Sequence, residues 1–424
     1  MPPRKFDVVI VGAGIVGLTS AYYIKKMNSD LSVAVLEREP TFAQGNSGKS
    51  AAGFRDLFSS QINFDLSNST IAFYRHVQQD LGINIGVDFV GYLFLLSSDD
   101  RRVSLLRKLG KKTRIREFDQ RELKELEYLN LMPSKDESSV MSLKPIELGI
   151  LGENCGTIEP ELITQYYYDE CVKLGVEFIF NCEVSQYTLV PVKPLDYPGE
   201  PFLWQDKKIG ILKTTQGEVE ADIYVSATDV WTTALLDPTG IDSHIRPKKR
   251  QVFQASGSKA EQVLFGWPHN GKKVIPFTIF PSHGVYIRPA PKARSLWLGV
   301  ADDYGRDFSF TEDPQPEQNF YDLSIAPVLN SYIPGITDSR ITASWAGYYS
   351  YNTIDKTPYI FKDLNLVVAT GTSGSGILKG DSIGRYVEAV FSDREKVKLF
   401  NGRELNSADL GVKRRNVEPE SVVL

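Results

Sequence analysis

The 424-residue sequence has three cysteines, Cys155, Cys171 and Cys182, and no C-x-x-C pair among them. An odd count with no histidine nearby excludes a disulfide framework, gives no metal site, and suits a reducing cytoplasm. Histidine is equally scarce. The four residues His76, His244, His269 and His283 are scattered, so a hydrolytic triad has no support, and His76, in a helical stretch, reads as structural. Basic charge is not in excess, with 48 Lys and Arg against 53 Asp and Glu. A net charge of −5 gives no electrostatic reason to bind nucleic acid. The apolar stretch near the N-terminus, Val8 to Leu18, is 11 residues long and broken by Gly12, Gly14 and Gly17. A membrane span needs about 20 residues, so none is expected there. The stretch starts too early to leave room for a separate signal segment. There is no internal repeat.

What is present begins with Val8–Gly17, V-V-I-V-G-A-G-I-V-G, followed 20 residues after its last glycine by Glu37. The β-branched run Val8–Val11 reads as a strand buried on both faces. Gly12 permits a tight turn, Gly14 lets a pyrophosphate approach the backbone, and Gly17 lets the next helix pack closely. The helix beginning near Ile15 directs its N–H groups and dipole at the phosphates. Ser32–Leu36 reads as a second strand that ends at Glu37, an acid placed to bind a ribose 2′-OH. The unit predicts a dinucleotide site.

Further along, Gln44–Gly53 (Q-G-N-S-G-K-S-A-A-G) is a small-residue loop, Phe64–Leu81 has helical periodicity, and Gly91–Leu96 is a strand. Asp99–Leu126 is charged and reads as a solvated, helix-rich surface. A helix is expected over Glu161–Leu174, strands over Val176–Phe180 and around Val184, and a hairpin over Gly210–Thr215 and Val219–Ala221. Another strand follows at Ile223–Ala227. Pro247–Asp303 alternates strands, including Gly284–Arg288 and Leu296–Val300, and Pro314–Pro334 carries a helix. The last ~25 residues are polar, end in V-V-L, and read as a docking tail. Nucleotide-domain texture thus appears three times, separated by strand-rich stretches. This predicts an α/β domain in pieces, 1–88, 150–235 and 340–395, with an inserted α+β antiparallel-sheet domain, 89–149 and 236–339, and a tail, 396–424.

Leu366–Lys379, L-V-V-A-T-G-T-S-G-S-G-I-L-K, is a second strand, glycine turn and helix start. Its spacing is not G-x-G-x-x-G, so a second dinucleotide is not expected. A helix N-terminus here would stabilise negative charge on a bound ring. Together with Asp7–Gly17, Ser47–Arg55 (S-G-K-S-A-A-G-F-R), Gly156–Leu162 (G-T-I-E-P-E-L), and Trp345–Tyr349 with Asp355–Pro358 (W-A-G-Y-Y, D-K-T-P), the segment Gly371–Gly376 resembles the D-amino acid oxidase family of flavoproteins. The likeness is nearest to its sarcosine oxidase, dimethylglycine dehydrogenase and glycine oxidase branch.

The resemblance implies a Rossmann-like FAD-binding domain and FAD rather than NAD. It assigns Gly12, Gly14, Ile15, Val16 and Gly17 to the pyrophosphate, Glu37 to the ribose and Arg38 to the adenine. Ser47, Ser50, Ala51 and Ala52 lie along the pyrophosphate and flavin, and Val184 meets the adenine through its backbone. Gly374, Ser375, Gly376 and Ile377 face the ring. Ala227, Thr228 and Trp231 stand where the family often has A-G-x-W or A-A-G-x-W, but here the segment is A-T-D-V-W and the glycine is missing. The histidine or cysteine that links FAD covalently in some relatives is absent from Ser47–Gly53 and from Gly347–Tyr348, which implies non-covalent FAD. Sarcosine oxidase resembles the chain from Gly284 to Gly299 but carries a lysine, thought to help oxygen accept electrons, where this chain has Trp297. That difference favours a dehydrogenase.

The implied reaction is oxidation of the C–N bond of a small carboxylate-bearing amino acid or N-methylated amine. Arg55, Lys379 and Arg288 are the candidate carboxylate-binding cations. Tyr286, Tyr348 and Tyr349 are candidate pocket walls. The electron acceptor is a quinone, a partner protein or O2, in an oligomer or hetero-complex associated with a membrane only through its acceptor. Two other readings stand beside this: a FAD-dependent 2-hydroxyacid or glycerol 3-phosphate dehydrogenase, and a non-catalytic FAD-binding subunit or assembly factor.

Overall fold

The structure, a computed structural model, describes residues 3–301 and 306–422. Asp302 and Asp303, at the end of the strand-rich stretch, and the closing Val423 and Leu424 lie outside the described residues. The chain divides into two compact units. The first comprises Met1–Ser50, Pro160–Pro247 and Tyr349–Pro419; the second comprises Ala51–Glu159, Lys248–Tyr348 and Glu420–Leu424. Residues 51–88, grouped with the nucleotide domain by their sequence, cluster with the second unit.

The first unit is built on a mostly parallel sheet. Its order is Tyr359–Asp363, Leu366–Thr370, Gly217–Ser226, Arg4–Val11, Val33–Leu36, Glu177–Ile179. Arg4–Val11 pairs in parallel with both Gly217–Ser226 and Val33–Leu36, and all four residues of Val8–Val11 are buried. The β-branched run therefore occupies the centre of a sheet covered on both faces. Val9, Val11, Leu36, Tyr224 and Val368 share one of its cores. The expected hairpin is present as Lys207–Thr214 and Gly217–Ser226, which pair antiparallel, and its second arm runs on through the strand expected after it, so that Gly217–Ser226 also pairs in parallel with Arg4–Val11 and Leu366–Thr370. The helices Ile15–Met27 and Gly376–Phe391 cross closely, because a Cβ on Gly384 would stand 2.7 Å from the Cβ of Thr19.

The second unit is built on an eight-stranded sheet running Arg340–Tyr351, Arg246–Ser256, Ser295–Val300, Val285–Ala290, Phe277–Ile279, Tyr92–Leu96, Leu148–Gly152, Ile115–Phe118. From Arg246–Ser256 to Ile115–Phe118 the neighbours pair antiparallel except Phe277–Ile279 with Tyr92–Leu96, which pair in parallel. Along Tyr92–Leu96, Leu93 and Leu95 enter one core while Tyr92, Phe94 and Leu96 enter another. Two buried faces explain a strand with no polar alternation.

The 99–126 stretch is helix-bearing and largely exposed, but it is not only a surface. It contributes the edge strand Ile115–Phe118 and buries Leu106, Leu109, Phe118, Leu123 and Leu126 between its charges. The helix expected over 64–81 runs Gln61–Arg75 and continues as a π-helical turn, His76–Asp80. The helix within 314–334 is likewise a π turn, Tyr321–Ile325, followed by Ala326–Tyr332. The polar tail folds back on its own chain. Arg415 pairs with Asp355 at 2.6 Å, and Leu410 and Val422 are buried. All three cysteines are buried and free.

Candidate cofactor and substrate site

In the first unit the predicted fingerprint closes into a cradle. Gly12 adopts φ +100°, and a Cβ there would lie 2.6 Å from the carbonyl oxygen of Ala227. A Cβ on Gly17 would lie 1.9 Å from the carbonyl oxygen of Gly12, so the helix can sit on the turn only as glycine. The N–H of Ile15, at the helix start, donates to Ser47 Oγ at 3.0 Å. One Glu37 carboxylate oxygen accepts from the N–H of Ala13 at 2.7 Å and the other from Glu39 at 3.0 Å. Burial pushes the Glu37 pKa up, while these two backbone donors pull it down. Arg38 stacks 4.2 Å over the Trp231 ring and pairs with Glu39. Val184 is buried at the start of the strand Val184–Pro191.

The second glycine turn lies in the same unit. Gly371 and Gly374 have φ of +71° and +83°, and at Gly374 a Cβ would stand 2.4 Å from the Tyr349 ring. Ser375 Oγ donates to Thr372 O at 2.6 Å just before the helix that opens at Gly376. A Cβ on Gly376 would lie 3.6 Å from Ile15 Cγ2, so two helix N-termini converge. Ile377 is buried, and so is Lys379, 1 % exposed in the first turn.

In the second unit Ala52 has φ +44°, and its carbonyl accepts from Ile158 at 3.0 Å. Arg288, 1 % exposed, donates to Ala51 O and Ile158 O at 3.2 Å and to Glu159 at 3.3 Å. Its guanidinium lies 4.1 Å over the Trp297 ring, so a cation does stand beside the indole. Arg55 is also buried. It donates to the carbonyls of Leu57 and Val422 and stacks 4.2 Å over Phe58. Tyr286 stacks on Phe277, which stacks on Tyr92 at 4.5 Å. The Tyr348 hydroxyl accepts from the N–H of Thr311 at 2.8 Å.

Residues 7–389 match the family described as "DAO: FAD dependent oxidoreductase". The chain belongs to this family. It is a FAD-dependent oxidoreductase. It is 25% identical to "FAD-dependent oxidoreductase domain-containing protein 1" of Xenopus laevis, over 93% of this chain and 80% of that protein. It is 29% identical to sarcosine oxidase subunit beta of Rhizobium meliloti, over 84% of this chain and 78% of the relative. Among solved structures, the L-proline dehydrogenase from P. horikoshii aligns with a TM-score of 0.70 at 21% identity, covering 92% of this chain and 94% of that one. The glycine oxidase from Geobacillus kaustophilus aligns at 0.69 and 18%, covering 92% and 96%. At these identities the structures show the shared fold.

The first unit of this oxidoreductase fits FAD. The turn at Gly12 and Gly17 has no room for side chains, and the N–H at the helix start faces Ser47. Residues Gly12–Gly17, Glu37 and Ser47 would hold the dinucleotide moiety. Sequence reasoning missed Asp229. It is the third residue of A-T-D-V-W, and it adopts φ +48°, the left-handed conformation that favours glycine. The available signal was the residue type, since Asp and Asn tolerate that region better than other side chains.

Proposed function

We propose that this oxidoreductase oxidises the C–N bond of a small amino acid or N-methylated amine, of the sarcosine, dimethylglycine, glycine or proline kind. Bound FAD supplies the hydride acceptor, at flavin N5. The observation that carries the reading is Arg288, a guanidinium only 1 % exposed that lies 4.1 Å over the Trp297 ring and bonds the carbonyl of Ala51, in the segment the resemblance places along the flavin. A substrate carboxylate offers such a group a bidentate pairing. Lys379 is the second cation of this role. Arg55 is the third, and a carboxylate there competes with the Val422 carbonyl. Tyr286 and Tyr348 contribute apolar walls. The sequence similarity to sarcosine oxidase subunit beta and to glycine oxidase supports the same substrate class.

We assign non-covalent FAD, because Ser47–Gly53 and Gly347–Tyr348 hold no histidine or cysteine to carry a link. Acid or heat should release all the yellow colour; a coloured pellet would contradict this. Three buried free thiols suit a reducing compartment. The relation to a protein named as a subunit supports work in a hetero-complex, with a quinone, a partner protein or oxygen as acceptor. Among the described residues no helix is long and apolar enough to cross a membrane.

The test is anaerobic bleaching of the flavin by a panel of amino acids, N-methyl glycines and 2-hydroxy acids. Bleaching by amines supports the proposal, and bleaching by hydroxy acids alone overturns it. An Arg288→Lys variant keeps the charge but loses the fork. It should raise the substrate concentration for half-maximal bleaching about tenfold at unchanged FAD content.

A further inference from the structure

We propose that Asp229 is a positioning residue for FAD, a carboxylate clasp that ties together the three segments of the first unit through which the cofactor is held. Its Oδ2 accepts from Asn46 Nδ2 at 2.6 Å, on the loop whose next residue, Ser47, meets the helix start at Ile15. It also bonds the hydroxyl of Ser350. Ser350 Oγ accepts from the N–H of Thr372 at 3.2 Å, and its carbonyl accepts from Ser373 at 3.0 Å, so it fixes the turn that leads to Gly374 and Gly376. With Thr372 donating to it, Ser350 has its own proton to give to Asp229. The main-chain carbonyl of Asp229 reaches the same turn, accepting from Thr370 Oγ1 at 3.1 Å. One residue therefore meets the pyrophosphate loop with one carboxylate oxygen, the end of the Arg340–Tyr351 strand with its carboxyl group, and the second glycine turn with its backbone.

The left-handed φ of +48° is what allows all three at once. The conformation turns the carbonyl toward Thr370 while the side chain reaches Asn46 and Ser350. Glycine would keep the first contact and lose the other two. Burial raises the Asp229 pKa, and the hydrogen bonds from Ser350 and Asn46 lower it. Desolvating a carboxylate without neutralising it by a cation carries a cost, and the two donors offset that cost only while both segments stay in place. Ordering these loops in advance of binding is a direct route to affinity, since ordering the segments otherwise subtracts from it.

The experiment titrates deflavinated apoprotein with FAD, following flavin fluorescence, and records the melting temperature of the apoprotein in parallel. Asp229→Gly keeps the backbone shape and removes the clasp. Its FAD dissociation constant should rise about tenfold or more, with apoprotein stability falling by less than the binding does. Asn46→Ala removes one of the two side-chain links and should weaken FAD in the same direction, and the double variant should be no weaker than Asp229→Gly, which already removes the Asn46 link. Asp229→Asn keeps one acceptor oxygen and should recover part of the affinity. The proposal is overturned if Asp229→Gly binds FAD as tightly as the parent. It is equally overturned if the two single losses add in the double variant, or if apoprotein melting falls as much as affinity. A parent chain that fails to bind FAD at all would instead refute the cofactor assignment.

Discussion

At Gly17 a methyl group would stand 1.9 Å from the carbonyl oxygen of Gly12, and that oxygen and the Cα carrying the methyl both belong to backbone that cannot swing aside. Gly17→Ala should therefore cost about 1–3 kcal/mol through overpacking and leave the purified protein nearly colourless. Its melting temperature and its absorbance near the flavin band check both effects. Glu37 gives a pH-dependent expectation. Burial raises its pKa, so the folded apoprotein holds the proton more tightly than the unfolded chain does. Its contribution to stability is complete below the ordinary Glu pKa and is lost as pH rises through the raised, folded-state value. Glu37→Gln should flatten that part of the apoprotein stability–pH curve, measured by urea midpoints, while weakening FAD about tenfold or more. An unchanged slope would remove Glu37 from the titration. These glycines and Glu37 were legible in the sequence because the fingerprint is local: a strand, a turn and a helix act within ~30 residues. Asp229 was not, because its partner Asn46 lies 183 positions away and no local pattern reports such a pairing.

Among the elements, the helices Ile15–Met27, Pro160–Lys173 and Gly376–Phe391 are joined by one buried carboxylate. Tyr23 and Tyr167 both donate their hydroxyls to Asp381 Oδ1, and Arg385 Nε donates to Oδ2 at 2.8 Å. Burial raises the pKa of Asp381, against the opposing pull of Arg385. Asp381→Ala would leave a guanidinium and two hydroxyls without their shared acceptor. The expected loss is about 3–5 kcal/mol, read from apoprotein unfolding. Asp381→Asn, which keeps acceptor capacity, should lose less. Strand and helix positions were mostly legible here, since Val8–Val11 and Leu366–Thr370 are continuous apolar runs and Gly376–Phe391 starts at a glycine turn. What failed was continuity and burial. The Gly217–Ser226 strand serves three neighbours in two pairing modes, antiparallel with Lys207–Thr214 and parallel with Arg4–Val11 and Leu366–Thr370, so its sequence changes texture midway and reads as two strands. In 102–126 the buried leucines are spaced among lysines and arginines whose stems cover the surface, and charge density concealed them.

For the whole molecule, the discontinuous arrangement was legible from the recurrence of nucleotide-domain texture, but the division of residues was not. The Gln61–Arg75 helix and the strand Gly53–Phe54 cluster with the second unit because their partners, such as Gly156–Thr157, lie there. The tail shows the same limit, since a polar composition does not say what a segment will cap. Within the second unit, Glu420 accepts from the N–H and hydroxyl of Ser59 at 2.9 and 2.8 Å and from the N–H of Ser60 at 3.2 Å, at the start of the Gln61–Arg75 helix. A carboxylate there satisfies free N–H groups and opposes the helix dipole. Val422 buries its side chain beside Leu57, Tyr92 and Tyr286, and its carbonyl accepts from Arg55 at 2.9 Å. Ending the chain after Pro419 removes the cap, the buried valine and one acceptor of Arg55 together. Burial of one valine is worth about 1.5–3 kcal/mol and the cap about 1. The truncated protein should therefore melt several degrees lower. FAD content should not change, because the cradle at Gly12–Gly17, Glu37 and Ser47 makes none of these contacts. If Arg55 takes a substrate carboxylate, the same truncation frees its guanidinium from Val422 and lowers the substrate concentration needed to bleach the flavin. An unchanged requirement for substrate would confine Arg55 to holding the tail.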